Sequence, residues 1–144
     1  MVRRVLDGAV VAVVDDDAAS VDAMRVLFGT WGALVVGGAD VEALLNGCGD
    51  LGRYPDLIVA DLRLAGGASG VDAVLRLRDE FGAAIPALVI SGDTGSAAER
   101  RVRNAGLALL PKPVVAATLK SAAFALLQPT ASGIPLDTAL DASA

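Results

Sequence analysis

Five polar side chains stand at the ends of apolar runs. Asp15 and Asp16 follow VVAVV at 10–14, Asp61 follows LIVA at 57–60, Ser91 follows ALVI at 87–90, and Lys112 comes just after Leu107–Leu110. If those runs are neighbouring strands of one sheet, the five groups meet at a single edge. Three carboxylates brought together repel one another, and one lysine does not offset them. Mg²⁺ would, because it takes carboxylate, carbonyl and water oxygens in an octahedral shell and neutralises the oxygens of a phosphoryl group in transfer. A carboxylate can itself be the nucleophile that carries such a group covalently. Together these residue types point to phosphoryl transfer onto an aspartate. Singly, each has a simpler reading: Asp15 to Asp17 as loop residues or helix caps, Asp61 and Ser91 as turn residues, Lys112 as a surface lysine.

The elements that would position them follow from the periodicity. Val21, Met24, Leu27 and Phe28 recur at helical spacing within 20–28. Ala33–Val36, set off by glycines, reads as a second strand. Asp40 is placed to cap a short helix ending near Leu45, with a loop over Asn46–Pro55. A flexible loop containing Gly66, Gly67 and Gly70 precedes a helix over Val71–Glu80. A further helix over Ser96–Asn104 stops at Gly106, a fifth strand follows over Leu107–Leu110, and Val115–Leu127 forms the last helix. Strand-before-helix order throughout is the mark of an α/β fold: a doubly wound, five-stranded parallel sheet with five helices. Sites in such sheets lie beyond the carboxyl ends of the strands. The domain is expected over residues 8–127, with 128–144, which holds two prolines and no sustained period, as a flexible C-terminal tail.

Composition narrows the function further. Of 144 residues 54% are hydrophobic but only 3% aromatic, so the core is aliphatic and few rings are available to stack on bases. The net charge of −5 disfavours binding along a phosphate backbone. A lone Cys48 and the absence of His exclude the usual Cys/His zinc centres. No secretory leader and no run of membrane-spanning length is evident, and the chain is expected to be cytoplasmic.

At this point the sequence resembles the response-regulator receiver domain, through VAVVDDDAA at 11–19, PDLIVADLRL at 55–64, ALVISGD at 87–93 and LLPKPV at 109–114. The resemblance covers about residues 8–127 and implies a flavodoxin-like, CheY-like sheet of order 2-1-3-4-5. It implies that Asp61 is the phosphoacceptor and that Asp15 and Asp16 are the acidic pair for Mg²⁺, Asp16 as the direct ligand and Asp15 largely through water. It makes the backbone carbonyl of Arg63 a further ligand. Ser91 becomes the hydroxyl that turns toward the phosphoryl group, and Lys112 the lysine that pairs with it, across a cis Lys112–Pro113 bond. WG at 31–32 and GDT at 92–94 are similar to receiver domains of hybrid sensor histidine kinases.

The sequence departs from the common family pattern at four places. Leu109 stands where an aromatic switch residue is usual. Arg63 stands where a small or polar residue is common, Ala65 replaces a proline in a loop one residue longer, and Pro111 directly precedes Lys112. The partners implied are a histidine kinase or histidine phosphotransfer protein, with output through a downstream protein or a homodimer on the face of helix four, strand five and helix five. Direct nucleic-acid binding and membrane insertion are not expected. Catalysis would be limited to self-phosphorylation and self-dephosphorylation. The alternatives are a pseudo-receiver that binds proteins without phosphate turnover, a phosphatase or other hydrolase on a similar sheet, and a flavodoxin-like cofactor binder. The last two are disfavoured by the lack of His and by the acidic loop after strand one.

Overall fold

A computed structural model describes residues 6–92 and 97–128. Its elements alternate as β1 (Val10–Val14), α1 (Ala18–Thr30), β2 (Leu34–Gly38), α2 (Val41–Leu51), β3 (Leu57–Asp61), a 3₁₀ turn (Ala65–Gly67), α3 (Gly70–Phe81), β4 (Ala87–Ser91), α4 (Ala97–Asn104), β5 (Ala108–Pro111) and α5 (Ala116–Leu127). The strands form one sheet in the order β2-β1-β3-β4-β5, every pair parallel. This is the doubly wound five-stranded sheet that the sequence implies. The expected tail from 129 onward, and Asp93, Thr94, Gly95 and Ser96, lie outside the described residues.

Strands β1, β3 and β4 are buried on both faces, which is why they read as unbroken apolar runs. Alternate side chains divide between two cores. Ala12, Val14, Ile58, Ala60 and Val89 face α2, α3 and α4 through Leu44, Val74, Leu77 and Val102. Val11, Val13, Leu57, Val59 and Leu88 face α1 and α5 through Phe28, Leu119 and Ala123.

The helix starts follow local chemistry. Asp17 caps α1 by accepting from the Ala19 N–H, Asp40 caps α2 by accepting from Ala43, and Ser69 caps α3 by accepting from Val71. Two expectations change in extent. Helix α2 does not stop near Leu45 but runs on to Leu51 through Gly47 and Gly49, ending at Gly52 in the left-handed conformation (φ 74°). Burial of Cys48 beside Leu44 supports those turns against the poor helix propensity of glycine. The segment with Gly66 and Gly67 is a closed turn, its Leu64 N–H donating to Ala68 O at 2.9 Å, and Gly70 already belongs to α3. No helix among the described residues is long and apolar enough to cross a membrane.

Candidate functional site

The site lies where the winding reverses. From β1 the chain crosses to β2 on one side, then returns past β1 to β3 on the other. Val14 is thereby registered with Ala60, so Asp15, just beyond β1, and Asp61, the last residue of β3, emerge side by side. Asp61 is in turn registered with Ile90, and Ser91 with Pro111. Four strands therefore deliver the expected residues to the same edge, Asp15 and Asp16 from β1, Asp61 from β3, Ser91 from β4 and Lys112 from β5.

Asp15, Asp16 and Asp61 each offer a carboxylate oxygen, and these oxygens lie within 4.8 Å of one another. Asp15 and Asp61 are half-buried and Asp16 is exposed. Asp15 is held from both sides of its peptide: its N–H donates to Gly38 O at 3.0 Å, and its Oδ1 accepts from the Asp17 N–H at 2.9 Å. Burial raises its carboxyl above the ordinary value. The Asp17 N–H opposes that rise; the charges of Asp61 and Asp16 add to it, and Lys112 works against it. Asp17, third of the acidic run, turns away from the cluster: it caps α1 and accepts from the Ser20 hydroxyl at 2.8 Å.

Lys112 supplies the positive charge. Its Nζ lies 2.9 Å from Asp61 Oδ2, and Asp61 Oδ1 accepts from the Arg63 N–H at 3.3 Å. The hydrogen bond to Asp61 raises the lysine above its ordinary value; partial burial opposes this, and the charges of Asp61, Asp15 and Asp16 add to the rise. The Lys112–Pro113 peptide is cis, as the resemblance implies. Ser91 is buried, at 3% exposure, and its carbonyl accepts from the Lys112 N–H at 2.8 Å, which ties the end of β4 to the start of the loop after β5.

The donor set fits a hard divalent cation. Among the described residues it is all oxygen, with three carboxylates against the Lys112 ammonium, and the oxygens are already grouped. The Arg63 side chain is exposed, on a loop closed by a bridge between Arg63 and Ser69. Beside Asp61 and Lys112 opens an apolar cavity of about 540 Å³, walled by Met24 and Leu27 of α1, Val13 and Ile90 of the sheet, and Pro113 and Val114. In sequence Met24 and Leu27 stand out only as part of the apolar stripe of α1; the cavity itself arises where α1, β1, β4 and the loop after β5 meet.

Comparison with known proteins agrees with the architecture. A search of curated proteins finds no match. Among solved structures, the chain is similar to NtrX from Brucella abortus (23% identity, TM-score 0.72), with 83% of this chain covering 27% of that one. It is also similar to the chemotaxis protein CheY4 of Vibrio cholerae (21% identity, TM-score 0.72, covering 83% of this chain and 98% of that one). A third likeness is to the signal receiver domain of a modulated diguanylate cyclase from Desulfovibrio desulfuricans (24% identity, TM-score 0.70, covering 84% and 94%). At these identities the likeness establishes the fold. The family model for the response regulator receiver domain matches residues 11–124, most of the chain's length, and the chain belongs to that family.

Proposed function

We propose that this chain is the phosphoacceptor switch of a two-component phosphorelay, taking a phosphoryl group from a phosphohistidine onto Asp61. The donor would be a histidine kinase or a histidine phosphotransfer protein in the cytoplasm. Mg²⁺ would be held by Asp15, Asp16, Asp61 and the backbone carbonyl of Arg63. The observation that carries the reading is the convergence of three carboxylates beside a single lysine at the reversal of the sheet.

In the reaction, a carboxylate oxygen of Asp61 attacks phosphorus in line. The P–N bond to the donor imidazole breaks, and its electron pair leaves on the ring nitrogen. Bound Mg²⁺ would supply charge neutralisation at the phosphoryl oxygens. Lys112, which pairs with Asp61 in the resting state, is the cation within reach of those oxygens once the carboxylate has become an acyl phosphate. Attack of water on phosphorus later returns the carboxylate and inorganic phosphate. The cavity between α1 and Pro113–Val114 offers an apolar seat for the donor immediately beside the acceptor.

Ser91 is the group that would report the new charge. Its hydroxyl can donate to a phosphoryl oxygen, and its carbonyl already holds the Lys112 N–H. Repositioning it would act on α4, β5 and α5, where Val115 (60% exposed) and Phe124 (43%) give a partner or a second copy apolar surface. With Leu109 at the usual aromatic position, the switch would work without a ring flip.

The test is intact mass after incubation with acetyl phosphate and Mg²⁺. A gain of one phosphoryl group that needs the metal and is absent in Asp61→Asn supports the reading. No gain, together with no Mg²⁺ binding, overturns it in favour of a pseudo-receiver.

A further inference from the structure

Gly70, the first residue of α3, is buried against the backbone of the acceptor strand. A Cβ placed on it would overlap the carbonyl oxygen of Asp61 and lie 2.9 Å from the Asp61 carbonyl carbon and 3.1 Å from the Leu62 Cα. All of these are backbone atoms, which cannot swing aside as the tip of a side chain can. Its φ lies outside the left-handed region, so what glycine provides here is room rather than backbone freedom.

Neither neighbour is placed to retreat. Strand β3 is paired with β1 on one side and β4 on the other. Helix α3 is anchored by Val71, Val74 and Leu77, all at 1% exposure or less. What can yield is the loop between them, residues 62–69. It is closed by the Gly70 N–H donating to Leu62 O at 2.8 Å, by the Leu64 N–H donating to Ala68 O at 2.9 Å, and by the bridge between Arg63 and Ser69. That loop carries the Arg63 peptide, whose N–H holds Asp61 Oδ1.

We propose that Gly70 is a positioning residue for the acceptor site. Its bare Cα lets α3 start in contact with the Asp61 peptide, and that contact fixes the Asp61 carboxylate and the Arg63 carbonyl relative to Asp15 and Asp16. A side chain at 70 would displace the loop and spread the oxygens that receive the cation. The inference rests on the Mg²⁺ reading above. Gly82, at the far end of the same helix, is the natural control: it has a positive φ of 63° and open space around it, so a substitution there strains the backbone without touching the site.

The test uses the full chain, with Mg²⁺ alone as the probe. Calorimetric titration gives its Kd, and urea unfolding without metal gives stability, for the wild type, Gly70→Ala and Gly82→Ala. Both variants should be less stable, but Gly70→Ala alone should lose Mg²⁺ affinity, by about 10-fold or more, the range seen when a supporting residue of a metal site is changed. A folded Gly70→Ala that keeps the wild-type Kd overturns the inference while leaving the metal reading intact. A wild type that binds no Mg²⁺ overturns the metal reading, and this inference with it. If Gly70→Ala does not fold, amide spectra of the wild type decide: the Gly70 amide should move together with that of Arg63 during Mg²⁺ titration. A Gly70 amide that stays fixed while Arg63 moves overturns the coupling.

Discussion

The ammonium of Lys112 sits 2.9 Å from Oδ2 of Asp61, occupying one oxygen of the carboxylate proposed to be phosphorylated. A cation in that place competes with a metal in the resting state and serves the phosphoryl group afterwards. Lys112→Met should therefore bind Mg²⁺ more tightly than the wild type yet take up phosphate from acetyl phosphate more slowly, on the order of 10²-fold. Calorimetry and time-resolved intact mass check the two halves. The pair raises the lysine above 10.5, so its contribution to stability is complete below that value and is lost as pH rises through the higher folded value. Since the lysine is well exposed, that contribution is at most about 1 kcal/mol. The stability gap between wild type and variant should close in strong alkali.

Asp15 has the opposite consequence for the metal-free protein. Its carboxyl is raised above 3.8 in the fold, so the folded state holds the proton more tightly than the unfolded chain does. The stability this gives is present below 3.8 and is gone once pH has risen through the folded value. At neutral pH the charged form is a burden. Asp15→Asn should raise the metal-free melting temperature at pH 7 by a few degrees, and the gain should vanish in acid. In saturating Mg²⁺ the order should reverse, because the wild type alone keeps its full set of carboxylates. Thermal melts across pH, with and without the metal, test this.

Ser91→Ala separates chemistry from response. The acceptor, its acidic neighbours and Lys112 remain, so phosphate uptake should stay within a few-fold of the wild type. The amide shifts that phosphorylation produces in α4 and β5 should shrink, since the hydroxyl that would gather the new charge is gone. Paired amide spectra of phosphorylated wild type and variant would show it. Shifts of wild-type size would mean that Ser91 does not carry the signal.

Two glycines of α2 should respond in opposite directions. Gly49 has open space where a Cβ would go, so Gly49→Ala should gain about 0.5–1 kcal/mol from helix propensity. Gly47 faces the Val36 side chain of β2, which a Cβ would strike, so Gly47→Ala should lose stability. Urea unfolding of both variants makes the comparison.

Leu119 is the anchor of α5, with no exposed surface and a place in the core shared with Leu57, Val59 and Leu88. Leu119→Ala should cost about 2–5 kcal/mol in urea unfolding, with the Mg²⁺ Kd unchanged.

The strands were legible because β1, β3 and β4 lie between two helix layers and need apolar residues on both faces up to their carboxyl ends. The grouping of the acidic residues was legible for a related reason: strand ends in a parallel sheet share one edge. What could not be read depends on contacts between distant elements. The last turns of α2 carry two glycines that argue against a helix, yet Gly47 is small because Val36 leaves no room. A capping role was open to any of Asp15 to Asp17 in sequence, and the start of α1 at Ala18 assigns it to Asp17. Pro111 breaks the donor pattern of a strand but closes β5 at the sheet edge, where a missing N–H is tolerated. The room that Gly70 leaves for the Asp61 carbonyl has no local sign at all.

Trp31, the single tryptophan, ends α1 at the opposite edge of the sheet from Asp61. It packs edge-on against Phe28 with ring centroids 5.3 Å apart, and the Lys120 ammonium lies 6.0 Å from its ring. A thirteen-residue helix puts it roughly 20 Å from the acidic groups. Its fluorescence is thus a reporter of whether the α1–α5 layer is assembled, and is blind to what happens at the aspartates. An engineered indole near Pro113 would give the protein a second optical channel, so that occupancy and unfolding could be followed separately in one cuvette.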